Sequence, residues 1–185
     1  MKKKSSLFVL ILLVFPVIVV VFLHNFGVNR FDIPVFHEKY TEELPECVKN
    51  RDFPIKITKS DVGFIPDSDS LKIVLIADLE NNLSIDKLQG LRLCSKIEGK
   101  PISVLTIYSE NPVELSCGRT HKMERKQLGE VSSCLFLIPK GNNTVLLDGK
   151  GRVRGYYNCN DREETDRLAI EIDILIQNNE YERGD

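Results

Sequence analysis

Five cysteines and three histidines are the side chains of this sequence with the most obvious redox or metal chemistry. The cysteines are Cys47, Cys94, Cys117, Cys134 and Cys159, and no two are separated by only two or three residues. Dithiol redox centres and the cysteine pairs of zinc sites both rely on such short spacings. The spacing indicates neither kind of centre. No Ser-His-Asp order, P-loop or dinucleotide fingerprint is present either, so the sequence favours a protein that is not an enzyme.

The cysteine count limits the disulfide pattern without fixing it, because five thiols leave at least one unpaired or paired between chains. Cys94 falls on the apolar side of a predicted helix and is interpreted as a small core residue. A bridge between Cys117 and Cys134 is compatible with the sequence, which does not settle the pairing. Cys47, Cys117 and Cys159 are the candidates for a thiol or metal site assembled in three dimensions.

The histidines stand apart from one another and from the cysteines. His24 borders an apolar segment, and His37 lies in a charged segment with several prolines. His121 lies in the polar stretch "GRTHKM", where a solvated side chain is expected. We therefore predict no metal site and no bound cofactor.

An apolar segment near the N-terminus predicts a membrane anchor. Residues 7–23 carry no charge, which suits a spanning helix of roughly 17–25 residues. No small-x-small cleavage site follows, so a retained signal anchor is favoured over a cleaved signal peptide. Three lysines at positions 2–4 should stay in the cytoplasm. The protein would then cross the cytoplasmic (inner) membrane once, and the residues after the anchor would lie on the extracytoplasmic side.

Four segments follow from these patterns: a cytoplasmic N-terminus at 1–6, a transmembrane anchor at 7–24, a tether at 25–55 and a folded domain at 56–180. The whole chain has 185 residues, 42% of them hydrophobic, and a formal net charge of −2. That charge gives no reason to expect nucleic acid as a partner.

The domain begins with a predicted β-strand, helix and β-strand. A short strand at 54–58 precedes an apolar, β-branched strand at 71–78. A helix at 83–99 follows, with Ser84 as its N-cap and Gly99 as its end, and Ile85, Leu88 and Leu91 at helical spacing. A second apolar strand at 101–109 completes a βαβ unit, whose strands should be parallel.

The C-terminal half predicts a hairpin and a closing helix. Residues 110–121 are interpreted as a loop and 122–131 as a short helix. Strands are predicted at 133–139, 144–148 and 152–157, the last two joined across "GKG". A final helix starts at Asp161 and has an apolar side formed by Leu168, Ile172, Leu175 and Ile176. This order is that of a thioredoxin-like α/β fold with a central mixed sheet.

The stretch "LLDGKGRVRGYYNCND" and the acidic helix after it resemble the C-terminal part of the Sco/SenC family. The shared residues are Asp148, Gly151, Arg152, Val153, Arg154, Gly155, Tyr156 and Tyr157. Those proteins are membrane-anchored, thioredoxin-like factors that help to assemble the copper site of cytochrome c oxidase. The resemblance implies the same fold and a role in assembly.

The copper ligands of that family do not carry over to this sequence. The family places C-x-x-x-C after the first strand of the βαβ unit, where this chain has "ADLENNLS", and a histidine where it has Lys140. Oxygen and amide groups in that loop suit hard cations and are poor ligands for Cu(I). The chain therefore resembles a degenerate member of the family.

Two function classes remain. The first is an accessory or assembly factor for respiratory oxidase or envelope proteins that acts by binding a protein partner. Its predicted contact residues lie in two loops: Asp78, Glu80, Asn81 and Asn82 in one, Lys140 and Asn142 in the other. The alternative is an active copper or thiol-redox protein that uses relocated cysteines. An anchored structural domain with no client is a third possibility.

Overall fold

In a computed structural model of the protein, the residues described are 12–22, 32–39, 41, 43–58, 61–65, 70–77, 87–110 and 115–182. The chain divides into two compact units, Met1–Asp32 and Ile33–Asp185. In the first unit, residues 12–22 are helical (α1) and their apolar side chains are exposed. None of the helices described has the length and apolarity that a membrane crossing requires. The predicted anchor extends beyond the described residues at both ends and stays a prediction.

The second unit is a mixed α/β domain built on a five-stranded sheet with strand order β3-β2-β1-β4-β5. Strands β1 and β2 are parallel, β4 is antiparallel to β1, and β5 is antiparallel to β4. The strands are β1 (Leu71–Ile76), β2 (Ile102–Tyr108), β3 (Arg119–Lys122), β4 (Thr144–Leu147) and β5 (Val153–Tyr157). This confirms the predicted βαβ and ββα units and their mixed central sheet.

Helices α2 (Lys87–Ile97) and α4 (Arg162–Glu182) cover one face of the sheet. Their buried side chains pack on the residues of β1 that alternate toward that face, Leu71, Ile73 and Leu75. Burying each such side chain is worth about 1.5–3 kcal/mol, so this cluster is a main source of stability. The predicted apolar side of α4 is confirmed, with Leu168, Ile172 and Leu175 buried and Ile176 partly buried.

Helix α2 buries only part of the apolar side predicted for it: Cys94 and Ile97 are buried, but Leu88 and Leu91 are not. Leu88 is 70% exposed and Leu91 53% exposed, whereas Leu93, Cys94 and Ile97 are buried. The prediction that Leu88 and Leu91 face the core was wrong, because the apolar residues of this helix fit two overlapping stripes and the sheet selects the second. Ile85 and Ser84 lie outside the described residues, and Gly99 follows the helix with φ +76°, as expected of a helix end.

The other face of the sheet is covered by short segments, among them α3 (Arg125–Glu130) and a π-helical turn at Val131–Leu135. The predicted strand at 133–139 is therefore wrong. Its apolar residues instead enter the core from an irregular segment, with Phe136 completely buried and Leu137 at φ +53°. A short apolar run does not distinguish a strand from other buried segments.

Strand β3 was not predicted, since its residues were interpreted as a loop. Its sequence, Arg119–Lys122, is polar and mostly exposed, and it pairs in parallel with β2. Conversely, the strand predicted at 54–58 amounts to one bridge, between Lys56 and Arg152. Charged edge strands carry little apolar pattern, which explains the omission.

Much of the expected tether belongs to the domain. Four apolar residues between positions 33 and 57 are buried in the two cores: Ile33, Val48, Ile55 and Ile57. A disulfide also joins Cys47 in the 3₁₀ turn Glu46–Val48 to Cys134. The compact unit thus begins at Ile33, earlier than the predicted boundary at residue 56. These four apolar residues are irregularly spaced in a charged segment, so the sequence shows no period that would predict their burial.

The hairpin between β4 and β5 is organised by the Asp148 carboxylate. Its oxygens accept hydrogen bonds from the backbone N–H groups of Lys150 and Arg152 and from the Arg152 side chain. Gly151 has φ +76°, and a Cβ there would lie 2.3 Å from the Ile57 carbonyl oxygen. Glycine is therefore required both by the turn and by the close approach of the N-terminal segment.

Candidate functional site at the carboxyl end of the sheet

The loop of residues 139–143, here called the Asn143 loop, lies against the carboxyl end of β1. The backbone N–H of Ile76 donates to the Asn143 carbonyl at 2.8 Å, and the Asn143 N–H donates to the Tyr157 carbonyl at 3.0 Å. A turn, with Asn142 N–H bonded to the Pro139 carbonyl, precedes this anchor point. The loop is thus fixed at the carboxyl end of β1.

The buried side chain of Asn143 holds the loop to the start of α4. Its Oδ1 accepts hydrogen bonds from the Cys159 N–H and the Thr144 hydroxyl, both at 2.9 Å. These two donors define which side-chain atom is the oxygen. The Thr165 hydroxyl, at the first turn of α4, closes the cluster by donating to the Asp161 carbonyl. Sequence reasoning missed Asn143, and only its place in the turn-forming "GNNT" gave a signal.

Two buried polar groups near this end lack a hydrogen-bond partner among the described residues: Asn143 Nδ2 and Thr106 Oγ1. The strand register places Thr106 and Thr144 on either side of Leu75, on the face covered by α2 and α4. Unpaired polar groups at full burial cost about 1–3 kcal/mol each.

Cys159 is the free thiol of this cluster, and it is unreactive by position. Burial raises the pKa of the Cys159 thiol to about 11, although hydrogen bonding from Thr144 and Thr165 acts in the opposite direction. At neutral pH the sulfur is therefore protonated, and the thiol is neither a good nucleophile nor a good metal ligand.

The predicted contact residues are placed in part. Lys140 is exposed at the tip of the Asn143 loop, and Asn142 is half-buried beside it. Asp78, Glu80, Asn81 and Asn82 lie outside the described residues. The described portion of β1 ends at Ala77, whose N–H donates to the Ile107 carbonyl at 2.8 Å. The Asn143 loop thus adjoins the point where the second predicted loop begins.

The remaining cysteines form two disulfides, Cys47–Cys134 and Cys94–Cys117. The bridge between Cys117 and Cys134 that the sequence allowed is therefore not formed. Both Cys47 and Cys117, suggested as relocated thiols, are oxidised, and Cys94 is a buried core residue as expected. The pairs are far apart in sequence, which is why spacing gave no hint of them.

The residues at this end do not fit a copper ion. Lys140 contributes an exposed amine here, and the sequence "ADLENNLS" contains neither cysteine nor histidine. In the part of the chain that the structure describes, no three His, Cys, Asp or Glu side chains are grouped as metal ligands. Cu(I) prefers thiolate and thioether donors, which this donor set lacks.

The histidines occupy packed positions. His37 Nε2 donates to the Tyr156 hydroxyl at 2.9 Å, because that hydroxyl donates its own proton to the Phe136 carbonyl. Burial lowers the pKa of His37. His121 was expected to be solvated, but it lies on β3 and stacks on Phe64 at 4.0 Å between ring centroids.

Comparison with known proteins gives only distant structural likeness. No protein-family model matches the chain, and no curated protein matches its sequence. BsSco, a member of the Sco family of cytochrome c oxidase assembly proteins, is 11% identical over 58% of this chain and 80% of its own, with a TM-score of 0.43.

Two further solved structures are similar at the same level. A SCO1/SenC family lipoprotein from Bacillus anthracis str. Ames is 10% identical over 59% of this chain and 83% of its own, with a TM-score of 0.43. A putative protein disulfide isomerase from Bacteroides thetaiotaomicron is 10% identical over 63% of this chain and 80% of its own, with a TM-score of 0.46. Likeness of this degree does not place the chain in a family.

Proposed function

We propose that this protein is a membrane-anchored domain of Sco-like, thioredoxin-type architecture that acts by binding a protein partner. It serves as an accessory or assembly factor for respiratory oxidase or envelope proteins, on the extracytoplasmic side of the cytoplasmic membrane. The partner contacts the Asn143 loop, through Lys140 and Asn142, and the neighbouring loop that contains Asp78, Glu80, Asn81 and Asn82.

The observation that carries this proposal is the anchoring of the Asn143 loop. Its backbone is bonded to β1 and β5, and its buried Asn143 side chain is bonded to the start of α4. Because the backbone of the loop is held in this way, little backbone conformational entropy is lost when a partner binds Lys140. Binding residues are commonly found on loops that a rigid sheet positions.

The alternative, an active copper-binding or thiol-redox protein that uses relocated cysteines, has less support where it requires a free thiol. Four cysteines are consumed in disulfides, and the pKa of the remaining thiol, Cys159, is raised by burial to about 11. A nucleophilic or copper-binding cysteine needs the opposite properties, namely exposure and a lowered pKa.

Site-specific photo-crosslinking in the native host tests the proposal. A photoreactive residue at position 140 or 142 of the full-length chain should capture an oxidase subunit or another envelope protein. The same residue at the exposed position Lys126 on α3 is the matched control and should capture nothing specific. A Lys140→Glu variant should lower the amount of assembled client several-fold, whereas Lys126→Glu should leave it unchanged.

Two results would count against binding at this end of the sheet. One is equal capture from positions 126 and 140. The other is a Lys140→Glu strain with normal amounts of every envelope complex. Loss of function in a Cys159→Ala variant that remains folded would instead favour thiol chemistry.

A further inference from the structure

A groove at the opposite end of the sheet contains the Cys94–Cys117 disulfide in its wall. The groove has a volume of about 560 Å³, and its apolar lining comes from Leu91, Ile97 and Ile102. Ile102 is the first residue of β2, so the groove lies at the amino end of the parallel strands. The Asn143 loop, by contrast, is bonded to β1 at its carboxyl end.

Cys117 is the accessible partner of this disulfide. Cys94 is 7% exposed and belongs to the core under α2, whereas Cys117 is half-buried at the groove. A second hollow of about 350 Å³, lined by Val104 and Arg119 among others, also reaches Cys117. Cys117 thus lines both hollows and is the more exposed residue of the pair, so we expect an incoming group to attack its sulfur and not that of Cys94.

We propose that Cys94–Cys117 is a thiol–disulfide exchange site, with a dithiol-bearing polypeptide as the substrate. A thiolate of the substrate attacks Cys117 Sγ, forms a mixed disulfide and expels Cys94 as a thiolate, which takes up a proton. The second thiol of the substrate then attacks the substrate sulfur that is bonded to Cys117. Cys117 leaves as a thiolate and takes up a proton. Two electrons and two protons pass from the substrate dithiol to Cys94 and Cys117, and the substrate leaves as a disulfide.

The groove gives this exchange its selectivity. Leu91, which lines the groove together with the disulfide, is 53% exposed, so an apolar residue next to the attacking cysteine gains buried area against it. The Cys47–Cys134 disulfide offers a built-in comparison. Cys47 is exposed and Cys134 half-buried, yet neither residue lines this groove or the neighbouring hollow.

The direction of attack can be tested on the oxidised, full-length protein with glutathione as a monothiol probe. Samples are alkylated with iodoacetamide at intervals, and the modified peptides are identified by mass spectrometry. We expect glutathione on Cys117 and the alkyl group on Cys94. Filling the groove with Ser95→Trp or, at another lining position, Glu98→Trp should slow this reaction at least tenfold, with the reduction rate of Cys47–Cys134 unchanged.

Substrate preference is measured with two synthetic dithiol peptides that differ only in the residues flanking the cysteines. The peptide with leucine flanks should reduce Cys94–Cys117 at least tenfold faster than the peptide with serine flanks, and both should reduce Cys47–Cys134 at similar rates. Lys126→Trp, at an exposed position outside the groove lining, controls for the added ring.

Three outcomes would overturn the proposal. Glutathione could be found on Cys94, or both tryptophan variants in the groove could react at the wild-type rate. Alternatively, reduction of Cys94–Cys117 could proceed only as fast as global unfolding, measured by proteolysis under the same conditions. The last outcome would make this disulfide a purely structural cross-link.

Discussion

Removing the Cys47–Cys134 disulfide is expected to destabilise the domain strongly, although one of its residues lies on the surface. Cys47 is exposed, so a Cys47→Ala/Cys134→Ala variant loses little packing there and reports mainly on the cross-link. The bridge joins the segment ahead of the sheet to the turn after α3, with a sequence separation of 87. That separation gives the bridge a large effect on the unfolded chain.

The magnitude follows from the loop that the bridge closes in the unfolded state. The Cys94–Cys117 bridge lies inside this loop and shortens the path around it by 23 of its 87 residues. The effective loop is then about 64 residues, for which the chain-entropy relation gives about 4.3 kcal/mol at 25 °C. The inner bridge alone gives about 3.4 kcal/mol by the same relation. For a domain of this size, 4.3 kcal/mol corresponds to a fall in Tm of roughly 9–17 °C.

Urea unfolding followed by circular dichroism, with the free energies extrapolated to water, measures this difference between the variant and the oxidised wild type. The variant should retain the native spectrum and unfold at a lower urea midpoint. Reduction of the wild-type protein should destabilise it further, because both bridges are then lost. A loss below about 1 kcal/mol would refute the reasoning, since it would mean that the segment containing Cys47 is not held to the domain in solution.

Three further outcomes are expected. Gly151→Ala should lower the free energy of unfolding more than Gly141→Ala does. Both glycines have positive φ, a strain of about 1–2 kcal/mol for alanine, but of the two only Gly151 would place a Cβ against the Ile57 carbonyl. Equal losses in urea unfolding would contradict the predicted clash. Since burial lowers the pKa of His37 in the folded state, the unfolded state binds the extra proton below about pH 6.5. Stability should therefore fall as the pH drops through that value, and a His37→Gln variant should lose less stability between pH 7.5 and 5.5 than the wild type. Cys159 should react with N-ethylmaleimide only at the rate of global unfolding, because its thiol is buried and its pKa is raised to about 11; rapid labelling of the native protein at pH 7.5 would show that the thiol is accessible.

The ion pairs between α2 and α4 illustrate a contact set that the sequence does not reveal. Asp166 Oδ1 on α4 lies 3.0 Å from Lys96 Nζ and 3.5 Å from Arg92 Nη2, and both of these residues are on α2. The charges that meet belong to helices about 70 residues apart, so no local pattern predicts them. Solvent screens exposed pairs of this kind, so they add little to the stability of the domain.

The amino-acid sequence by itself determined the elements whose signals are local. The apolar runs of β1 and β2, the glycine turn between β4 and β5, and the acidic start and apolar side of α4 were all predicted from neighbouring residues. Each depends on side-chain period or on backbone conformation within about ten residues. The candidate loops came from the resemblance to the Sco/SenC family, which places its copper ligands at these two positions.

Tertiary structure alone decided the features that depend on residues distant in sequence. It selected which side of α2 is buried and made the apolar segment around Phe136 irregular. It also buried Val48, Ile55 and Ile57, which precede the sheet, in the core. It also paired the cysteines across separations of 87 and 23 residues and buried Cys159 beside Asn143. These outcomes arise from competition for the same buried space and from the geometry of approach between elements, neither of which is encoded in a short stretch of chain.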